Sequence, residues 1–129
     1  MSLRNACQYC KRKNGILLSL GPGDPTRLAY LKETVTQLLG EIPIIGICLS
    51  RQIIARALGA DMFELKFGHR GGNHPVRDLT TGRVHITAQN HSYAMDINSL
   101  KDRLEVSNIN LKDGTVEGIT HKKLPIASI

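Results

Sequence analysis

Cys48 stands where pattern and chemistry coincide. The run IPIIGI (42–47) is apolar, the thiol follows it, and Ile53, Ile54, Ala57 and Leu58 then recur at helical spacing. Gly59 stands where a helix commonly stops. This reads as a strand, a sharp turn and a helix, with a cysteine at the bend. Such a bend lifts a nucleophile out of the sheet. The helix that follows aims free N–H groups and its positive dipole end at the sulfur, which favours the reactive thiolate. The competing reading is an inert cysteine in an ordinary β–α unit, since free cysteine is among the most buried residue types.

A thiolate attacking a carbonyl needs a base or a depressed pKa, an oxyanion hole, and groups that hold the substrate. The N–H of Leu49, at the start of the helix, suits the oxyanion role. The loop GPGDP (21–25) offers a second N–H from Gly21 or Gly23. Gln52 falls in the first helical turn, near the same mouth. Of the histidines, His69, His74, His85, His91 and His121, none is tied to Cys48 by spacing. His69 and His74 with His91 would make a metal site only under strict ligand geometry. Loop histidines bonded to backbone are the commoner case, so no metal is expected. Cys7 and Cys10 form a C-x-x-C pair with no second pair to complete a zinc ribbon and no thioredoxin-like setting.

The elements that must position these groups follow the order β–loop–α–β–elbow–α. GILLSL (15–20) has the continuous apolar character of a strand buried on both faces of a parallel sheet. Asp24 is a helix cap with Pro25 in the first turn. Leu28, Leu31, Val35, Leu38 and Leu39 share a helix face that Gly40 ends. Both strand-to-helix loops then open at the carboxyl edge of the sheet, where ligands bind in such folds. From Met62 onward FELKF, VHITAQ, LEVSNI, TVEGI and LPIASI read as short, mostly antiparallel strands, with turn chemistry at LKDG (111–114). FGHRGGNHP (67–75) and QNHSYA (89–94) read as Gly-, Asn- and His-rich connections between them.

The chain has 129 residues and a formal net charge of +6, enough for one domain with one core. Its basic residues are scattered and its aromatics few, so no nucleic-acid partner is expected. No apolar run approaches membrane-spanning length and the N-terminus lacks a signal-peptide core. An odd count of three cysteines without secretory context reads as reduced thiols, hence a cytoplasmic location. Residues 1–14 are expected to have little order, and 15–129 to form the domain.

Taken in order, GILLSLGPGDP, IPIIGICLSRQ, LKFGHRGGNHPV, ITAQNHSYAMD and DGTVEGI resemble the class I (triad) glutamine amidotransferase domain of carbamoyl-phosphate synthetase small chains, from about Gly15 to Ile129. FGHRGGNHPV followed by TAQNH narrows the likeness to that subfamily. The resemblance implies an α/β fold with a flavodoxin-like, mostly parallel sheet and an antiparallel elaboration in the second half. It implies a glutaminase in which Cys48 attacks the side-chain amide of L-glutamine, ammonia leaves, and water clears a glutamyl thioester. Gly21 and Gly23 then line the glutamine site, with Gly21 beside the N–H of Leu49 in the oxyanion hole. Gln52 and Asn90 hold the substrate, with the backbone at Ser92 and Tyr93. The implied partner is the synthetase large chain, which uses ATP, bicarbonate and Mg; no cofactor is expected in this chain.

The sequence departs from the family pattern at the site. Ser50 stands for the second glycine of the elbow and Arg51 for the usual histidine. Leu20 replaces an asparagine and Ser92 a glycine. Arg51 either sets a cation near the thiol, lowering its pKa, or points to solvent. The family's catalytic His and Glu lie just past a strand that LPIASI begins, and are expected beyond Ile129. Two other readings share the scaffold: a degenerate, non-catalytic module that binds a synthetase partner or glutamine, and a thiol sensor at Cys48.

Overall fold

The structure, a computed structural model, describes residues 14–20, 23–100 and 102–129. Cys7, Cys10 and Gly21 lie outside the described residues. One seven-stranded mixed sheet runs through the molecule in the order β1-β2-β7-β6-β4-β3-β5. The strands are β1 (Ile16–Leu20), β2 (Ile44–Cys48), β3 (Met62–Asp78), β4 (Val84–Met95), β5 (Leu104–Asn110), β6 (Val116–His121) and β7 (Ile126–Ser128). β1, β2 and β7 are mutually parallel. The remaining pairings are antiparallel, and β5 also pairs β6, so β6, β4, β3 and β5 close on one another. The α/β class and the antiparallel second half are as the sequence implied. The parallel part of the described sheet is confined to those three strands.

Helix α1 (Ala29–Leu38) and helix α2 (Leu49–Ala57) cover one face of the parallel strands. Val35 and Leu38 of α1 meet Ile53 and Ile54 of α2 over Ile44 and Ile126. The expectation that β1 is buried on both faces fails. Along β2 burial alternates, with Ile44 fully buried and Ile45 53 % exposed, and Leu17 of β1 is 62 % exposed. The helices described here lie on one side, so period-two alternation decides which residue is covered. Asp24 does cap, but it caps the 3-10 turn Pro25–Arg27, accepting from the Thr26 N–H at 2.8 Å; α1 starts only at Ala29.

The Gly- and His-rich runs are not connections. They are paired strand, inside a long β3–β4 hairpin with irregularities between Glu64 and His69 and between Gly71 and His74. Gly68 permits the first of these. Its φ is +69°, and a Cβ there would come 3.0 Å from the His91 carbonyl oxygen.

Gly46, two residues before the thiol, lets α2 sit down on β2. A Cβ there would lie 2.5 Å from Ile54 Cδ1 and 3.2 Å from the backbone carbon of Ser50. The Ile54 tip can turn away, but the Ser50 backbone cannot. Gly46→Ala is therefore expected to destabilise the chain by about 1–3 kcal/mol through overpacking. A lower urea midpoint at unchanged m-value would show it; an unchanged midpoint would mean that the contact is not tight.

Candidate active site around Cys48

Cys48 ends β2 and caps α2 with φ 58° and ψ −120°. It is the one non-glycine residue with positive φ among the described residues. A bulkier-than-glycine residue held in such a conformation costs about 1–3 kcal/mol, and it persists only where its surroundings fix it. Here they do: the Cys48 N–H donates to the Ile129 carbonyl at 3.0 Å, and the Ile129 N–H donates to Gly46 at 3.0 Å. The strained bend turns the thiol out of the strand, and it is half-buried rather than sealed in the core. Leu49 is the first residue of α2, so its N–H belongs to the set that a helix start leaves free.

The glycine loop meets the elbow. β1 and β2 are in register with Leu20 opposite Cys48. A Cβ on Gly23 would lie 3.3 Å from Leu49 Cδ2. Gly23 thus stands against the residue expected to supply an oxyanion donor.

A cavity of about 280 Å³ opens beside the thiol. Its walls include Cys48, Arg51, Asn90, His91, Glu117 and Ile129. Of the residues assigned to glutamine by resemblance, Asn90 faces this space. Gln52 does not: it is 1 % exposed, and its side-chain N–H donates to the Tyr93 carbonyl at 2.6 Å. Its Oε1 has no hydrogen-bond partner. The Ser92 hydroxyl accepts from Arg70 Nη2 at 2.7 Å. Tyr93 turns its phenol toward Asp24 of the glycine loop. Burial first, then Asp24 and Glu64, push the phenol up. Its Thr26 hydrogen bonds, more than Tyr93 or Arg27, hold the Asp24 carboxyl below its ordinary value. The elbow, the Gly23 loop and β4 therefore converge, with Gln52 and Tyr93 forming the seam between α2 and β4.

Of the two readings of Arg51, a side chain pointing to solvent is overturned, since Arg51 is 3 % exposed. Its Nη1 lies 2.6 Å from both the carbonyl and the carboxylate Oε2 of Glu117 on β6, so its charge is spent on that carboxylate. Ser50 is fully buried, and its hydroxyl has no hydrogen-bond partner.

Glu117 is the residue that sequence reading missed. It is 3 % exposed. Oε1 faces His69 Nδ1 at 3.1 Å and Asn110 Nδ2 at 3.4 Å, and Oε2 is 3.6 Å from His91 Nε2. Burial alone would raise its pKa. The His91 ring and the Arg51 guanidinium outweigh that and bring it down to about 2. The other nitrogen of His69 meets Asp113 at 2.6 Å, and His91 Nδ1 donates to the Tyr93 carbonyl at 2.8 Å. His74 bonds the Arg70 carbonyl at 3.0 Å. The one signal available was an acid inside the otherwise apolar run VEGI.

His69, His91 and Glu117 bring potential ligand atoms within 4.8 Å of one another. His74, the other member of the pair weighed from spacing, is not part of that group. The arrangement fits an ion-pair network better than a cation cage. A guanidinium already occupies one carboxylate oxygen at 2.6 Å, and His69 is engaged on both ring nitrogens. No hydrogen-bonding partner touches the Cys48 thiol among the described residues.

The profile of the family described as glutamine amidotransferase class-I matches residues 3–129. A carbamoyl phosphate synthase small chain from Akkermansia muciniphila is 53 % identical over 116 residues, 90 % of this chain and 31 % of that protein. One from Methanocaldococcus jannaschii is 54 % identical over 114 residues, 88 % of this chain and 32 % of that protein. The chain thus spans about a third of the length of these relatives. Among solved structures, a glutamine amidotransferase from Thermotoga maritima superposes with a TM-score of 0.68 at 21 % identity, covering 88 % of this chain and 54 % of that one. That likeness bears on the fold. No helix among the described residues is long and apolar enough to cross a membrane.

Proposed function

Since this chain belongs to the class-I glutamine amidotransferase family, we propose that it carries the nucleophile half of a glutaminase serving carbamoyl phosphate synthesis. The carrying observation is Cys48 at positive φ on the β2–α2 bend, beside the Gly23 loop and at the mouth of a cavity walled by Asn90. The thiolate attacks the side-chain amide carbon of L-glutamine. The developing oxyanion is met by the Leu49 N–H and by the glycine loop, where Gly21 and Gly23 lie. Nitrogen leaves as ammonia once protonated, and water then cleaves the thioester to give glutamate. Asn90, able to donate and accept, holds the amino-acid head group with the backbone of Ser92 and Tyr93, and Gln52 braces that backbone through the Tyr93 carbonyl.

The family pattern puts the general base just past the strand that LPIASI begins. The end of that strand lies at the elbow, held there by the Cys48–Ile129 hydrogen bond. The ammonia acceptor is a synthetase large chain that brings ATP, bicarbonate and Mg, in a reducing, cytoplasmic setting. The second reading, a degenerate module that binds a synthetase partner without chemistry, draws on Ser50, whose buried hydroxyl is left without a partner behind the nucleophile.

A γ-chloroketone analogue of glutamine discriminates between the two. The amidotransferase reading expects saturable labelling of the chain that free L-glutamine slows at least tenfold. Labelling that glutamine leaves unchanged would favour the degenerate module.

A further inference from the structure

We propose that Glu117 is a positioning residue for the Cys48 site: it ties the elbow helix to the hairpin strand that carries Asn90. The inference rests on the glutaminase reading for its functional consequence, but not for its geometry. Glu117 is the point at which both walls of the cavity meet. Through Oε2 and its carbonyl it holds Arg51, three residues after the nucleophile, at 2.6 Å. Its carboxylate faces His91, the residue after Asn90, at 3.6 Å, and His69 on the paired strand at 3.1 Å. His91 in turn donates to the Tyr93 carbonyl, which also accepts from Gln52 of the elbow helix.

The links form a ring: α2 to β6 by Arg51, β6 to the hairpin by the histidines, and the hairpin back to α2 by Gln52. Every side chain in the ring is more than nine-tenths buried, so solvent screens these contacts little. Arg51 keeps Nε without a partner, which leaves Glu117 as the anchor of its head group. Glu117 itself has no described contact with Cys48, so it acts on the thiol only through the elbow.

Hydrogen exchange on Glu117→Gln tests the geometry without any substrate. The amides of 52–55 in α2 and of 89–94 in β4 are expected to lose protection together, by tenfold or more, while those of 35–38 in α1 stay within twofold. In the same variant, the maximal rate of Cys48 labelling by the γ-chloroketone analogue should fall about tenfold relative to labelling by iodoacetamide. The analogue concentration for half-saturation should stay within threefold. Arg51→Lys, which keeps the charge, is expected to show the same pattern at smaller size and serves if Glu117→Gln does not fold. Loosening of all core amides alike, or of one wall without the other, overturns the proposal. A wild-type chain that the analogue fails to label defeats the glutaminase reading, while the exchange result still decides the positioning role.

Discussion

On its own, the 129-residue chain is expected to release ammonia from glutamine on the order of 10⁶-fold more slowly than a site with an engaged catalytic histidine. The reason is local. The elbow holds Cys48, the proposed nucleophile, at the N-terminus of α2, yet among the described residues no hydrogen-bonding partner meets the thiol. His91 shares the cavity wall, but its ring nitrogens are taken by the Tyr93 carbonyl and by Gln89 Oε1 at 3.0 Å. Oxyanion donors and binding alone sustain only about 10³–10⁴-fold catalysis over water once a triad member is missing. A coupled ammonia assay on the purified chain, with Cys48→Ala as the blank, measures this. Robust release that disappears in Cys48→Ala would show that a base is engaged.

The second large effect concerns pH and stability. Glu117 sits near pKa 2 in the fold against an ordinary value of 4.5. A carboxyl whose folded pKa is depressed stabilises fully above its unfolded value and loses that contribution as pH falls toward the folded one. The contribution is about 3 kcal/mol, complete above about pH 4.5 and gone near pH 2. The groups facing Glu117 are Arg51 from α2, His69 from β3, His91 from β4, Asn110 from β5 and Thr115, whose hydroxyl is 3.5 Å away. Urea unfolding between pH 7 and 2, for wild type and Glu117→Gln, isolates the effect. The stability difference between the two proteins should shrink as pH falls below about 4.5. A difference independent of pH would mean that the carboxylate is not ionised through these contacts. Truncation to Glu117→Ala, which strands Arg51 without its partner, is expected to cost about 3–5 kcal/mol at neutral pH.

Local pattern carried the first half of the chain well. The apolar runs around Leu17 and Ile45, the face of Val35 and Leu38, and the Gly59 stop are nearest-neighbour signals, and the elements stand where those signals put them. What pattern did not carry was the partner of each face. One side of β1 and β2 is open, and a continuous apolar run does not reveal which residues a helix will cover. The histidine-rich stretches looked like connections because Gly68, Gly71 and Gly72 are poor strand formers. Long-range pairing with β4 overrides that preference, and the bulges absorb the glycines. Around the elbow, the bend at Cys48 and the helix start at Leu49 were legible because a turn is local. Arg51 and Glu117 were not, because the two are 66 residues apart in sequence and only the sheet order joins them.

In the proposed mechanism, amide hydrogens of the elbow converge where glutamine's carbonyl oxygen becomes an oxyanion at Cys48. A crystal structure of the γ-chloroketone adduct measures this directly. In the expected adduct Cys48 Sγ has displaced chloride and is bonded to the ligand methylene, the retained ketone oxygen lies within hydrogen-bond distance of the Leu49 N–H, and the amino-acid head group sits at Asn90. An adduct on Cys7 or Cys10, or one on Cys48 with its oxygen turned away from Leu49, would contradict it.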